Sequence, residues 1–224
     1  MNITENIKNI TSNLPKEVKL IAVSKTQSDS TIMEAYESGH RYFGENKVQE
    51  LVDKHENLPK DIEWHFIGHL QTNKVKYIAP FVSLIHGVDS LKLLKEINKQ
   101  AAKNHRIIDC LLQFHIAIEE AKFGFSLGEV QEIFDNPDYK LLKNIRIVGV
   151  MGMATYTNDE NQIRQEFIQL KSHFKLLKEK YLNHAFFLEI SMGMSADYKI
   201  AIEEGSTMIR LGSSIFGIRL YPKF

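Results

Sequence analysis

The sequence of 224 residues contains a single cysteine and no long apolar run. A lone Cys110 excludes an intramolecular disulfide, and its place in the apolar segment IIDCLLQF predicts a core thiol in a reducing compartment. The N-terminal MNITENIKNI lacks the continuous apolar segment of a signal peptide, and no stretch approaches the roughly 20 apolar residues of a membrane-spanning helix. Together these absences predict a cytoplasmic protein.

Excess charge of either sign is absent as well. Lys and Arg together number 28, as do Asp and Glu, so the formal net charge is zero. Nucleic acids and anionic membrane surfaces select a clustered cationic face, and the sequence therefore predicts neither as a partner. Two phosphate-binding patterns of open α/β sheets are also missing: no G-x-G-x-x-G follows the first apolar strand, and no G-x-x-x-x-G-K-[ST] occurs.

The chain does contain a regular alternation of apolar strands and amphipathic helices. A leading helix is predicted by apolar residues at helical spacing (Ile3, Ile7, Ile10 and Leu14), and the alternation then runs from VKLIAVS to TMIRLG as eight β/α units without a linker. Unbroken alternation implies a parallel sheet, and eight units favour a closed (β/α)8 barrel over an open Rossmann or flavodoxin sheet. We predict one barrel domain over residues 1–224 with an extra N-terminal helix.

Polar residues and glycines concentrate where the predicted strands end. The segments are SK at 24–25, GEN at 44–46, HFIGH at 65–69, HGVD at 86–89, QFH at 113–115, GMAT at 152–155, SMGMS at 191–195 and RLGSS at 210–214. In a (β/α)8 barrel the carboxyl ends of the strands meet on the face that carries the functional site. The sequence therefore predicts a polar pocket on that face.

The last two segments predict a phosphate site. Gly212 allows a close backbone approach, Ser213 and Ser214 supply N–H and O–H donors, and a short helix after LGSS adds partial positive charge. Ser195 is expected to open the helix that follows SMGMS. Glycine-serine loops also serve simply as turns and caps, but barrels commonly bind phosphate in the loops after strands 7 and 8. Their joint position favours phosphate binding.

Lys25 ends an otherwise apolar strand, where its ammonium must be solvated, paired or chemically used. A lysine that reaches out of the barrel mouth into solvent is the commoner case. Burial beside Arg210, which alternation directs into the same mouth, instead favours a neutral, nucleophilic amine. A neutral lysine that faces a phosphate site is suited to Schiff-base chemistry on either a sugar phosphate or pyridoxal 5'-phosphate (PLP).

The other strand ends carry weaker signals. His65 and His69 lie four residues apart, but a strand does not bring that pair onto one metal ion, and no cysteine or carboxylate follows at a ligand spacing. No metal site is predicted. Glu45 and Asn46 are expected either to polarise a ligand or to cap the next helix, and the cap is at least equally favoured.

Six segments carry a family resemblance: IAVSKTQ, FGENKVQE, WHFIGHLQTNK, HGVDS, SMGMSADY and GSTMIRLGSSIFG. They resemble the YggS/PROSC family of pyridoxal phosphate homeostasis proteins, from the first strand to the last glycine motif. The resemblance implies a fold like the barrel domain of bacterial alanine racemase, with PLP as the cofactor. The cofactor-binding residues that it implies are Lys25, Asn46, Ser191, Met192, Ser195, Arg210, Gly212 and Ser213.

The resemblance also implies individual roles. Lys25 would hold PLP as a Schiff base, and Arg210 would face the pyridine nitrogen. Ser191, Gly212 and Ser213 would hold the phosphate. Asn46 would line the ring pocket, while Met192 and Ser195 belong to the same SMGMS motif as Ser191.

Members of that family are generally taken to lack a catalysed reaction, and the residues offer reasons. Arg210 does not readily give up its proton, so the pyridine ring would be a weak electron sink. Alanine racemases share such an arginine but add a β domain with a tyrosine base, for which the sequence up to Phe224 has no counterpart. We therefore expect a monomeric PLP carrier that acts in PLP homeostasis and delivers the cofactor to apo forms of PLP-dependent enzymes.

Alternative functions remain open at this point. One is a PLP-dependent racemase or lyase that acts on amino acids, and another is a Schiff-base aldolase for sugar phosphates. Lys122, in the segment EEAKFG after the fifth strand, is expected to be a solvated lysine or a second, transient attachment point for PLP.

Overall fold

Eight parallel strands form a closed barrel in which each strand pairs with its neighbours in chain order and β8 pairs with β1. The computed structural model describes residues 2–118 and 123–217, so Lys122 lies outside the described residues. The (β/α)8 prediction is confirmed. The strands are β1 (Lys19–Val23), β2 (Tyr42–Glu45), β3 (Glu63–Phe66), β4 (Leu84–Val88), β5 (Ile108–Gln113), β6 (Ile145–Met151), β7 (Glu189–Ser191) and β8 (Met208–Leu211).

Helices connect the strands, and an additional helix precedes the barrel as predicted. The leading helix buries Ile3 and Ile7, and the side-chain amide of Asn6 donates to the carbonyl of Ile215 at 2.8 Å, which ties it to the last helix. The helices are α1 (Ile3–Ser12), α2 (Asp29–Glu37), α3 (Val48–Asn57), α4 (Val75–Ile78), α5 (Leu91–Lys103), α6 (Leu127–Asp135), α7 (Glu160–Lys180), α8 (Tyr198–Glu203) and α9 (Ser213–Phe216).

Serine caps begin several of these helices where the sequence predicts them. The Ser90 hydroxyl accepts from the N–H of Leu93 at the start of α5. At α6, Ser126 and Glu129 form a capping box in which each side chain accepts from the other residue's backbone N–H. These caps satisfy donors that the first turn of a helix leaves without a partner, and they set where each connection ends.

Alternation along the strands separates an outer core from the barrel interior. Leu20 and Ala22 of β1 belong to the large apolar core, whereas Val23 and Lys25 line the cavity at the carboxyl ends of the strands. A smaller apolar cluster fills part of the interior, and its members are Leu84, Leu111, Val148, Met151 and Met208. Within the described residues, no helix combines the length and apolar character needed to cross a bilayer.

Candidate functional site

A cavity of about 760 Å³ opens at the carboxyl ends of the strands, where the sequence predicts a pocket. Its walls include the ends of β1, β2, β3, β5 and β8 and the loops after β6 and β7. Of the predicted site residues, those that line the cavity are Lys25, Asn46, Ser195, Arg210, Gly212 and Ser213. The fold therefore brings together residues that lie far apart in the sequence.

Ser191 and Met192 do not line this cavity. Both are fully buried, and Met192 packs in the apolar core. The Ser191 hydroxyl accepts a hydrogen bond from the Nη1 of Arg210 at 2.6 Å and lies 3.0 Å from the Nδ1 of His86. Direct contact of either residue with a ligand stays a prediction, and the geometry gives Ser191 the role of holding Arg210.

Arg210 enters the cavity from β8 and is buried to 4% exposure. Its Nη1 donates to Ser191 and its Nη2 donates to the carbonyl of Gly152 at 3.1 Å. Burial lowers the pKa of Arg210 to about 10, and the nearby Asp197 carboxylate partly opposes that shift. The guanidinium is therefore still a cation at neutral pH. Its hydrogen bonds to Ser191 and Gly152 fix its orientation.

A chain of buried polar groups continues from Arg210 into the barrel interior. Beyond Ser191, the Nε2 of His86 lies 2.9 Å from the Nδ1 of His65. Burial lowers the pKa of His65 to about 3 and that of His86 well below its ordinary value, so both imidazoles are neutral. In the tautomer whose Nδ1 accepts from the Ser191 hydroxyl, His86 donates from its Nε2 to the Nδ1 of His65.

The loops after β7 and β8 present backbone donors to the cavity. Among the residues that the structure describes, no acceptor faces the N–H groups of Ser195, Ala196 and Ser213, and all three residues line the cavity. The Asp197 carboxylate accepts from the N–H of Met194 at 2.5 Å and thereby folds the first loop. Open N–H groups in two adjacent loops are the donors that a phosphate or another anion requires.

Two glycines allow this arrangement. Gly193 has a φ of +95°, and a Cβ there would lie 2.6 Å from the Cβ of Ala201. Gly68 permits a close backbone contact, because its Cβ would lie 2.4 Å from the carbonyl oxygen of Asn46. The side chain of any other residue at position 68 would displace Asn46 from the cavity wall.

Asn46 and Glu45 do not cap the helix that follows them. Lys47 is the residue that precedes α3, and it makes no side-chain capping bond. Asn46 faces the cavity, whereas Glu45 points to the helix side and pairs with Lys54 at 2.8 Å. The capping alternative is therefore wrong for both residues, because alternation in β2 sends Asn46 inward and Glu45 outward.

The helix after SMGMS also starts later than predicted. It begins at Tyr198, with Asp197 before it, so Ser195 belongs to the cavity loop.

At the other side of the mouth, the His69 ring stacks on Phe123 with ring centroids 3.9 Å apart. The Nδ1 of His69 lies 2.8 Å from a carboxylate oxygen of Asp89, so this histidine has a hydrogen-bond partner at the rim.

Sequence reasoning missed Asp197, Gln113 and Lys54. Asp197 and Gln113 line the cavity, and both occur in polar segments at strand ends, which is the signal that points to them. Lys54 is buried on α3, where its spacing from Glu50 by one helical turn is the only sequence indication of an ion pair.

Comparison with known proteins identifies similar sequences across nearly the whole chain. A family model described as the alanine racemase N-terminal domain matches residues 1–220. The pyridoxal phosphate homeostasis protein of Aquifex aeolicus (strain VF5) is 40% identical over 205 residues, which is 91% of this chain and 88% of the relative. The human pyridoxal phosphate homeostasis protein is 36% identical over 236 residues, with 99% and 86% of the two chains covered.

Solved structures are similar to this chain as well. PipY of Synechococcus elongatus PCC7942, solved without PLP, superimposes with a TM-score of 0.89 at 33% identity, covering 96% of this chain and all of PipY. PipY with PLP bound gives a TM-score of 0.87 over the same coverage. Alanine racemase of Clostridium difficile 630 gives 0.73 at 17% identity over 99% of this chain and 56% of the racemase, which supports the fold alone.

Proposed function

The chain belongs to the alanine racemase N-terminal domain family, among the pyridoxal phosphate homeostasis proteins, and on this basis we propose that it binds and delivers PLP. The observation that carries the proposal is the meeting of Lys25, Arg210 and two loops with open N–H groups around one cavity. These three elements match the aldehyde, the pyridine nitrogen and the phosphate of PLP. We also propose that residues 1–224 form one barrel domain.

The residues present fit PLP in charge and in hydrogen bonding. The N–H groups of Ser195, Ala196 and Ser213 would donate hydrogen bonds to the phosphate oxygens, and Gly212 leaves room for the close approach of the phosphate. Arg210 would donate to the pyridine nitrogen, since its guanidinium has no acceptor atom. Asn46 would line the ring, on the wall that Gly68 keeps in place.

Lys25 would hold PLP as a Schiff base. Its amine nitrogen would form a double bond to the aldehyde carbon, and the aldehyde oxygen would leave as one molecule of water. Lys25 is partly buried at the end of β1, on the inward side of that strand. When bound, PLP supplies an electron sink for carbanions at an amino-acid Cα.

We infer that the protein carries PLP without a conventional catalysed reaction. Arg210 keeps its proton at neutral pH, so it leaves the pyridine nitrogen unprotonated and the electron sink weak. The buried bonds to Ser191 and Gly152 support this state, because both acceptors bind N–H donors of the protonated guanidinium. The recipients would be apo forms of PLP-dependent enzymes, reached by a monomer in the cytoplasm.

Two measurements test the proposal. Borohydride reduction of the PLP-loaded protein, followed by peptide mass mapping, should place the reduced adduct on Lys25; no adduct there would overturn the Schiff-base assignment. Incubation of the loaded protein with a PLP-dependent apoenzyme should restore activity at least as fast as equal free PLP. Slower restoration, together with exchange of amino-acid Cα protons for deuterium at enzymatic rates, would overturn the carrier function in favour of a racemase or lyase.

A further inference from the structure

Lys54 lies on α3, outside the cavity, and is almost completely buried between that helix and the ends of β1 and β2. Its side chain is 6% exposed, and the carboxylate of its partner Glu45 is fully buried. Buried ion pairs are often no more stabilising than apolar side chains of the same volume, so the geometry that this pair holds matters more than its contribution to stability. The contacts of this pair indicate which geometry is held.

The Lys54 ammonium makes three hydrogen bonds. It donates to the carbonyl of Ser24 at 2.8 Å, to Oε1 of Glu45 at 2.8 Å and to Oε1 of Glu50 at 2.7 Å. The Ser24 hydroxyl also donates to Oε1 of Glu45 at 2.6 Å. Ser24, the residue immediately before Lys25, is therefore held through both its carbonyl and its side chain.

The residue after Lys25 is held by the same cluster. The N–H of Thr26 donates to Oε1 of Glu50 at 2.5 Å, and Glu50 is fixed in turn by Lys54. Thr26 has a φ of +65°, a left-handed conformation that β-branched residues rarely adopt. A strained residue persists only where its surroundings hold it, and the acceptor on Glu50 supplies that hold.

We propose that Lys54 is a positioning residue that directs the Lys25 amine into the cavity. Through Ser24 and Glu50 it fixes the peptide groups on both sides of Lys25, and it does so from the helix side without entering the ligand site. The turn at Thr26 then ends β1 with Lys25 facing inward. This inference rests on the proposed Schiff base at Lys25.

The test compares Lys54→Met with Arg146→Met in the full chain. Arg146 donates to Asp109 at 2.6 Å near the amino ends of β5 and β6, so this control removes a strand ion pair at the opposite end of the barrel. The readouts are the PLP dissociation constant, the rate at which borohydride traps the adduct on Lys25, and Tm. We expect Lys54→Met to weaken PLP binding at least tenfold and to slow trapping, while Arg146→Met keeps both at wild-type values.

Glu50→Ala provides a second variant should Lys54→Met fail to fold. Glu50 is partly exposed at 22%, and its truncation removes the acceptor of Thr26 while leaving the pair between Lys54 and Glu45. We expect PLP binding to weaken at least threefold with a small change in Tm. Wild-type binding and trapping in every foldable variant, or an equal loss in Arg146→Met, would overturn the positioning role. Absence of the adduct in the wild type would instead overturn the proposed function.

Discussion

The Nδ1 of His86 on β4 lies 3.0 Å from the hydroxyl oxygen of Ser191 on β7, and that hydroxyl accepts from Arg210 on β8. The guanidinium is thus held from within the barrel, through neutral groups. Its bonds to Ser191 and Gly152 use two of five N–H groups and leave the others for the cavity. The charge that faces a ligand is therefore oriented before the ligand arrives.

Acid should destabilise the protein through its buried imidazoles. His65 has a pKa of about 3 in the folded protein against an ordinary value of 6.5, so the unfolded chain binds more protons between these pH values. The free energy of unfolding should therefore fall as the pH falls below 6.5, by up to about 1.4 kcal/mol per pH unit for each such group. Urea unfolding at a series of pH values measures the slope.

His65→Gln should reduce that slope, since it removes one of the groups whose pKa burial lowers. His86 and His40 retain lowered pKa values and should keep part of the slope. His184→Gln, at an exposed position, is the matched control and should leave the slope unchanged. An unchanged slope in His65→Gln would contradict the assignment of a neutral, buried imidazole.

Lys25→Ala should abolish the adduct that borohydride traps, while far-UV circular dichroism keeps its wild-type shape. The side chain lines the cavity and is not part of the apolar core, so its loss leaves the barrel packing intact. Lys47→Ala, at an exposed position beside Asn46, is the control and should keep the adduct. Trapping at wild-type yield on another lysine, Lys122 included, would contradict the role of Lys25.

Two serines should respond in opposite ways to truncation. Ser191→Ala leaves the Nη1 of Arg210 and the Nδ1 of His86 without their buried partner, so the free energy of unfolding should fall by about 1–3 kcal/mol. Ser213→Ala, at the exposed first residue of α9, removes one hydroxyl donor from the cavity, so it should change the free energy of unfolding by less than about 0.5 kcal/mol but weaken PLP binding severalfold. Urea unfolding and PLP titration separate the two. Equal stability of both variants would argue against the buried chain.

Gly68→Ala should displace Asn46. The added Cβ would lie 2.4 Å from the Asn46 carbonyl oxygen, so the backbone must shift, at a cost of about 1–3 kcal/mol in stability and a several-fold loss of PLP affinity. Gly128→Ala in α6, where a Cβ meets no atom within 4 Å, is the control and should keep both quantities or raise stability slightly. Wild-type affinity in Gly68→Ala would show that Asn46 does not line the ligand.

The sequence was sufficient for the barrel and for the cavity, and for a physical reason. Apolar alternation of strands and helices determines a parallel sheet, and polar residues at strand ends then share one face. Period-two alternation along the last strand predicts that Arg210 faces the cavity, whereas the cavity role of Lys25 is predicted by its apolar strand, by the neighbouring Arg210 and by the family resemblance. Both lie there in the structure.

Contacts between residues far apart in the chain could not be predicted from the sequence. Lys54 meets Ser24 across 30 positions, and His86 meets Ser191 across 105, which no local spacing encodes. The sequence places Ser191 at the end of a strand, but the phosphate role that the resemblance implies for it predicts a cavity-facing hydroxyl, whereas Ser191 is the buried last residue of β7. The start of α8 at Tyr198 was missed because Ser195 has the chemistry of a helix cap without its backbone position.

The line of imidazole, hydroxyl and guanidinium groups through the barrel makes these four positions mutually dependent. Substitution of one of these four residues alone leaves a buried hydrogen-bonding atom of each neighbour without its partner, in a place where water does not supply the lost bond. Evolutionary drift at positions 65, 86, 191 and 210 is therefore expected to proceed by coordinated change. Related barrels that lack one of these four groups should also differ at the positions that would have bonded to it.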